Sequence, residues 1–382
     1  MGNLHWWRAA LALLAGCAGA AMAAGPERVA TTDRGLWPYK IDTPAGFDQA
    51  SRAEILALAN AWETMDTPRD AGAWTVWLGI KSADVTSIAR WRDQATARWA
   101  ENFVRASGNC HGAGDLLCPP KPLHTWPEIV QFARDAWSAL PEPLRVWSAE
   151  QRRFYATYLY EQARLAALFP HVTSEILAHD GGEILGTDYP DKTFLLTFDD
   201  GPSPVGGETD QLITELRRDK VDGVFFILGD RLQERLVGST RADLRALYSG
   251  MCVASHGAVH QPHPRLATWR QSIDETNAAL AGILPEGQAA VKYFRPPYGQ
   301  RTPEISRYVA GLHQQNMLWN MDSQDWNPHI TAPQVSSRML TLMLLWRRGI
   351  LLFHDVHPKA RVALPDILAA TRSVGLSWMS CR

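Results

Sequence analysis

Two carboxylates stand side by side where a short apolar run stops. Thr193-Phe194-Leu195-Leu196-Thr197-Phe198 is followed by Asp199-Asp200 and then by the turn signal Gly201-Pro202. Adjacent acids repel, and burying either one unpaired is costly, so the pair calls for a cation or for partners of opposite charge. The blander alternative is a pair of caps opening the next helix. Further on, His256 and His260 lie four residues apart, which points both imidazoles the same way on a helical turn or in a tight loop. Two imidazoles and one carboxylate leave positions open for water and substrate. That set suits catalytic zinc or another first-row divalent metal rather than a closed structural site. Taken alone, the histidine pair fits an ordinary surface pair equally well, and His263 offers a substitute ligand at a poorer spacing.

The elements that must position these groups follow from periodicity. From residue 192 onward, short apolar runs at 194–198, 223–228, 251–254, 291–294, 317–321, 350–353 and 376–379 alternate with amphipathic stretches such as 209–220, 241–249, 272–284 and 332–347. Strand then helix, repeated, predicts a parallel barrel or a doubly wound sheet. In a parallel barrel, chemistry belongs at the C-terminal ends of the strands. The tails there are reactive: Asp199-Asp200, Ser255-His256-Gly257-Ala258-Val259-His260, Arg295-Pro296-Pro297-Tyr298-Gly299, Asp322-Ser323-Gln324-Asp325-Trp326 and His354-Asp355-Val356-His357-Pro358. Asp322, Asp355 and His357 read as loop caps or surface groups.

The chain before residue 186 is of another kind. Residues 51–65 place Ile55, Leu58, Ala59 and Trp62 on one helical face. Residues 82–107 do the same with Val85, Ile88, Trp91, Trp99 and Phe103, with the acid Asp84 in the first turn. Residues 126–140 follow a Thr125 cap with Pro127 in the first turn, and residues 148–169 carry Phe154, Tyr158, Ala163 and Leu165. At this spacing the tryptophans read as core rather than sugar platforms, and no activity is assigned to this half.

With 46% hydrophobic and 20% charged residues over 382 positions, the chain can bury a sizeable core. A formal charge of -2 and no dense basic stretch exclude nucleic acid as the expected partner. Residues 1–24 read as an export signal: Arg8, a short apolar run over 9–16 and the small-x-small site Ala21-Met22-Ala23. Leu14-Ala15-Gly16-Cys17 also resembles the lipobox of bacterial lipoproteins, so a lipid anchor through Cys17 is favoured over simple cleavage. Export to the periplasm or cell envelope makes disulfides expected. Cys110 and Cys118 flank a short loop and fit a local bridge, with metal ligation beside His111 as the rival; Cys252 reads as a buried thiol, and Cys381 has no evident partner.

Thr197-Phe198-Asp199-Asp200-Gly201-Pro202, His256-x-x-x-His260, Arg295-Pro296-Pro297-Tyr298-Gly299, Asp322-x-x-Asp325-Trp326 and Leu352-Phe353-His354-Asp355 stand in the order and spacing of five motifs. They are the motifs of the polysaccharide deacetylases, the carbohydrate esterase family 4 named for the NodB homology domain. The chain from residue 190 to 382 resembles that family. The resemblance implies an α/β fold, a distorted (β/α) barrel over residues 186–382; the periodicity places an α-helical region over 25–185 before it. The resemblance also implies a divalent metal, usually zinc with Co2+, Mn2+ or Ni2+ as alternatives, held by Asp200, His256 and His260. By the same resemblance Asp199 is the base, oriented by Arg295, and His354 is the acid, paired with Asp325. The backbone N–H of Tyr298 would bind the oxyanion, while Trp326 and Leu352 would line the acetyl pocket. The expected activity is release of acetyl groups from N-acetylated sugars of peptidoglycan, a chitin-like glycan or an exopolysaccharide. An O-acetyl esterase and a non-catalytic carbohydrate-binding module are the rivals. The chain departs from the family at Gly257, where Ser or Thr is usual, and at Gln261, where Pro is usual. The first change removes a hydroxyl that braces the loop.

Overall fold

The computed structural model describes residues 28–64, 70–110, 117–168 and 182–382, so the stretch expected to be an export signal, with Cys17, and also His111 lie outside the described residues. In the second half of the chain the strands are β1 (Thr193–Asp199), β2 (Val224–Ile227), β3 (Cys252–Ser255), β4 (Tyr293–Phe294), β5 (Gln315–Asn316), β6 (Met321–Asp322), β7 (Gly349–His354) and β8 (Ser377–Trp378). All pairings are parallel, in the order β5-β4-β3-β2-β1-β7-β6, with β8 added against the start of β1. This is the expected distorted (β/α) barrel.

One expected strand is split. The apolar run at 317–321 is not a single strand, because the chain there leaves one edge of the sheet and joins the other. Met317 still donates its N–H to Phe294 beside it, whereas Asn320 donates to Ile350 on β7. Across the gap the Leu318 N–H donates to Ile184 O (2.8 Å), and the Arg295 side chain serves the carbonyls, donating from Nε to Met317 O (2.9 Å) and from Nη2 to Leu318 O (2.7 Å).

Alternation along the strands separates two apolar clusters. Leu195, Val224, Phe226, Cys252, Ala254, Ile350 and Leu352 fill the lumen with Met317, Leu318 and Trp319. Phe194, Leu196, Phe198, Phe225, Ile227, Val253, Leu351 and Phe353 face outward into the larger cluster. Cys252 is not the free thiol expected but is bridged to Cys381, with a sequence separation of 129 residues. Parallel pairing of β8 brings the C-terminal tail to the foot of β1 and β2, where Cys381 N–H also donates to Asp222. The Cys110–Cys118 bridge is present as expected.

The helices of the first half are α1 (Pro44–Thr64), α2 (Ala71–Leu78), α3 (Val85–Ala106), α4 (Trp126–Ser138) and α5 (Glu142–Leu168). Asp84 is the N-cap of α3, accepting the Ser87 N–H, and Thr125 caps α4 in a box with Glu128. The amphipathic reading of α1 was too narrow: residues 50–61 are all buried, so this helix is central rather than superficial. It lies against α3, α4, α5 and one barrel helix. The barrel helices are α6 (Glu208–Asp219), α7 (Gly229–Leu236), α8 (Arg241–Leu247), α9 (Trp269–Ala281), α10 (Pro303–Gly311), α11 (Ala332–Trp346) and α12 (Pro358–Thr371).

The helical half and the barrel share one core through α11. The last carbonyls of a helix have no partner within it, and here the first half supplies them. Ser51 Oγ donates to Leu344 O, and Asn102 Nδ2 donates to Leu345 O and Trp346 O. Two buried arginines on that helix and its C-cap, Arg338 and Arg347, pair with Glu161 and Asp48 of the first half.

Candidate active site

Period-two alternation places Thr197 and Asp199 on the lumen side of β1, in line with Leu195. Asp199 is buried and lies in register with Phe226 on one side and His354 on the other. Fully buried Arg295 donates from Nη1 to Asp199 Oδ1 (2.7 Å) and to Thr197 Oγ1 (2.9 Å), with its guanidinium 4.0 Å above the Phe226 ring. Burial pulls the pKa of Arg295 down, and the Asp199 carboxylate opposes it.

Asp200 breaks the alternation. It adopts φ 79°, in the left-handed region that side-chain-bearing residues rarely enter. The turn carries its Oδ1 to 3.4 Å from His256 Nε2 and 3.5 Å from His260 Nε2. That oxygen is buried and has no hydrogen-bond partner among the described residues. The pair is not a helix cap, since the next helix opens only at Glu208. Burial raises the pKa of Asp200, but the approach of His256 and the charges of His260 and His354 outweigh it and hold the group far below the carboxylate range.

His256 is buried, and its Nδ1 donates to Arg295 O at 2.6 Å. That bond fixes the tautomer whose Nε2 lone pair faces Asp200, an orientation common to metal-bound histidines. Burial disfavours a second proton on His256, yet Asp199 and Asp200 outweigh it and raise its pKa, so the pocket favours positive charge at this point. Burial lowers His260 to about 4, leaving it neutral near pH 7. Ligand atoms of Asp200, His256 and His260 all lie within 4.8 Å of one another, a spacing that can hold a metal ion. An orphaned carboxylate oxygen facing two imidazole Nε2 atoms, in a pocket that favours positive charge, fits a divalent cation.

His263 is not a substitute ligand. It is buried on Phe294 with ring centroids 5.5 Å apart, and its Nε2 accepts from Ser272 Oγ at 3.2 Å. This arrangement also accounts for Gly257. A Cβ there would lie 2.6 Å from His263 Cε1 and 3.0 Å from Ser272 Oγ, at a φ of +80°. The space that a side chain at 257 would need is filled from elsewhere. Ser272 Oγ accepts the Ala258 N–H at 2.7 Å, so a hydroxyl from α9 braces the loop. Sequence reasoning missed Ser272, which sits within an ordinary amphipathic helix and carries no motif.

The remaining tails converge from the other side. His354 Nδ1 donates to Asp325 Oδ1 at 2.7 Å, and its backbone N–H donates to Asp325 Oδ2 at 2.9 Å. Burial works against the imidazolium, but Asp325 outweighs it and raises His354 to about 10. Tyr298, with φ 59°, stands at the rim with its ring centroid 4.4 Å from that of His260. Leu352 is in the lumen one layer below His354, and Trp326 is half-buried beside Asp325.

Of the groups read as caps or surface residues, Asp322 does cap its loop, accepting the Gln324 N–H, whereas Asp355 is neither. Asp355 is 1% exposed, accepts from Thr209 Oγ1 at 2.7 Å and packs so closely on Gly201 that a Cβ there would meet its Oδ2 at 2.1 Å. Burial, opposed by Thr209 and reinforced by Asp200, pushes it up to about 7. Burial raises Asp322 to about 6 against the bond from the Gln324 N–H. A cavity of about 510 Å³ opens at the opposite end of the barrel, lined by Tyr189, Lys292, Tyr293 and Met379, and holds none of these groups.

The sequence profile described as polysaccharide deacetylase matches residues 186–317. A chitooligosaccharide deacetylase of Sinorhizobium fredii is 30% identical over 192 residues, covering 49% of this chain and 79% of that protein. A peptidoglycan-N-acetylglucosamine deacetylase of Bacillus cereus is 26% identical over 196 residues, covering 49% and 68%. Across such relatives the share of the other protein that is spanned runs from 26% to 79%. Among solved structures, a family 4 carbohydrate esterase from Streptomyces lividans in complex with acetate is 28% identical, with a TM-score of 0.42 over 49% of this chain and 91% of that one. With five motifs meeting at one end of its barrel, this chain belongs to the polysaccharide deacetylase family, family 4 of the carbohydrate esterases.

Proposed function

We propose that this chain is an exported, metal-dependent deacetylase that hydrolyses N-acetyl groups of a polysaccharide. One observation carries the reading: the partnerless Oδ1 of Asp200 faces two histidine Nε2 atoms, between the Arg295–Asp199 and Asp325–His354 pairs. Asp200, His256 and His260 would hold the ion, with zinc first and Co2+, Mn2+ or Ni2+ acceptable to the same donors. A divalent cation there supplies Lewis acidity, polarising the acetamide carbonyl and lowering the pKa of water from ~15.7 toward ~7.

The chain's own residues do the rest. Asp199, held by Arg295 with its Oδ2 3.8 Å from His256 Nε2, accepts the proton of the attacking water. The Tyr298 N–H donates to the developing oxyanion. His354 is imidazolium throughout the neutral range and passes its proton to the departing amine, while Asp325 holds the ring in place. Leu352 and Trp326 flank the acetyl methyl.

The acid favours an amide over an ester. An amine leaves only when protonated, whereas an alkoxide leaving group needs that proton less, and this chain keeps a dedicated imidazolium. A relic binding module would have no call for base, acid and ligands together. Chitooligosaccharide and peptidoglycan deacetylases among the relatives support an N-acetylglucosamine polymer as substrate. Arg8 and the apolar run after it, with Cys17 as the anchoring residue, support export, as do the two disulfides. Acetate release from N-acetylglucosamine oligomers and from acetylated xylan tests the assignment. Release from the oligomers by re-metallated enzyme is expected, and release from the xylan alone would replace it with the O-esterase reading.

A further inference from the structure

The helical half has no motif of its own, yet one of its carboxylates is two hydrogen-bonded steps from the catalytic loop. Glu161, buried on α5, takes a two-pronged grip on Arg338 of α11, with Oε2 accepting from Nη2 at 2.9 Å and Oε1 from Nη1 at 3.3 Å. Arg338, also buried, donates from Nη1 to Ala30 O at 2.9 Å. Its Nε donates at 3.0 Å to the carbonyl of Asp322. Asp322 is the last residue of β6, at the head of the loop that carries Asp325, and that loop is built on it. The Asp322 carboxylate accepts from the Gln324 N–H (2.8 Å) and Nε2 (2.9 Å), with Gln324 at φ 59°. Ser323 Oγ then accepts the Asp325 N–H at 3.2 Å.

We propose that Glu161 and Arg338 are positioning residues: a strut by which the helical half fixes the 322–327 loop, and through Asp325 the orientation of His354. The inference rests on the deacetylase reading only for what the loop does, not for whether the strut holds it. Three features support it. The guanidinium fork is rigid, so anchoring two of its nitrogens to a carboxylate sets the direction of the third. Both partners are buried, where such bonds are little weakened by water. The target is a backbone carbonyl at a left-handed turn, the kind of geometry that surroundings must impose. A second clamp, Arg347 to Asp48 and Asp191, sits nine positions along at the C-cap of the same helix and touches no motif. Arg338 is therefore the link that reaches the site.

The test uses the full chain with Glu161→Gln and the double variant Glu161→Met/Arg338→Met. A buried ion pair replaced by apolar residues of similar volume often keeps its stability, so the double variant separates positioning from folding. Amide hydrogen exchange is read over residues 322–327, with melting temperature and the split between kcat and KM for acetate release. Expected are a melting temperature near that of the parent, faster exchange confined to this loop, and a kcat lower by about 10-fold or more with KM little changed; ~1 Å of misplacement is enough for such a loss. Should the double variant not fold, Glu161→Gln carries the same expectation for the loop. Unchanged exchange at 322–327 in a folded variant would overturn the proposal, as would loosening spread evenly over the barrel. If the parent chain releases no acetate, the deacetylase reading fails while the exchange result still decides the strut.

Discussion

At the scale of single residues, Asp199 and Asp200 are neighbours with opposite surroundings. One lies on the strand's inward side and is claimed by Arg295; the other turns out at φ 79° toward two imidazoles. If Asp199 is the base and not a ligand, Asp199→Asn should lower acetate release by at least ~10² in rate. Metal content measured on the same sample should stay near that of the parent; retained activity would reject the assignment. His354 gives a pH test. Asp325 raises its pKa from 6.5 to about 10, so the stability drawn from the pair is complete below pH 6.5 and fades as the pH climbs to about 10. Asp325→Asn should flatten that slope in thermal melts and draw the alkaline limb of the activity profile down toward 6.5. These residues were legible because adjacent acids, a spaced histidine pair and a buried-strand pattern are local signals. Ser272 was not, nor was the Asp355 carboxyl against Gly201, because each depends on which element packs beside it.

At the scale of elements, the left-handed residues Asp200, Gly257, Tyr298 and Gln324 each turn a tail sharply after its strand. Gly257 is where the chain leaves its family's usual residue, and the packing gives the reason. The His263 ring and the Ser272 hydroxyl occupy the place of its missing side chain. Gly257→Ser restores the family's usual residue type, yet it should destabilise this chain by about 1–3 kcal/mol through overpacking and positive-φ strain. Calorimetric melting and metal titration of that variant check the point, and an unchanged or higher melting temperature would contradict it. Seven runs read as strands predicted a parallel barrel or a doubly wound sheet, because alternation between apolar runs and amphipathic helices survives in sequence, and the resemblance to a family selected the barrel. The split of the 317–321 run did not show, since a chain crossing between sheet edges is as apolar as a strand when an arginine satisfies its carbonyls and neighbouring backbone its N–H groups. Nor did the extent of α1, whose burial on all sides depends on neighbours from both halves.

At the scale of the whole molecule, α11 belongs to both halves. Its C-terminal carbonyls are capped by Ser51 and Asn102, Trp346 Nε1 donates to Tyr158, Arg338 pairs across the divide with Glu161, and Arg347 pairs across it with Asp48 as well as with Asp191 on its own side. A fragment of residues 186–382 should therefore lack a cooperative melt, since it exposes that face and takes Glu161 from Arg338 and Asp48 from Arg347. A melt near the parent's temperature would contradict this. None of the sharing was legible, because a motif reading ends where motifs do, and the pairs that join the halves are 177 and 299 residues apart. The account as a whole turns on one cation in one place. The most direct measurement is calorimetric titration of zinc into the metal-stripped full chain and into its His256→Ala variant, with acetate release followed in parallel. Expected is a single tight site with activity restored in step in the parent, and loss of both in the variant. Full activity in the stripped parent, or undiminished tight binding without His256, would contradict the account.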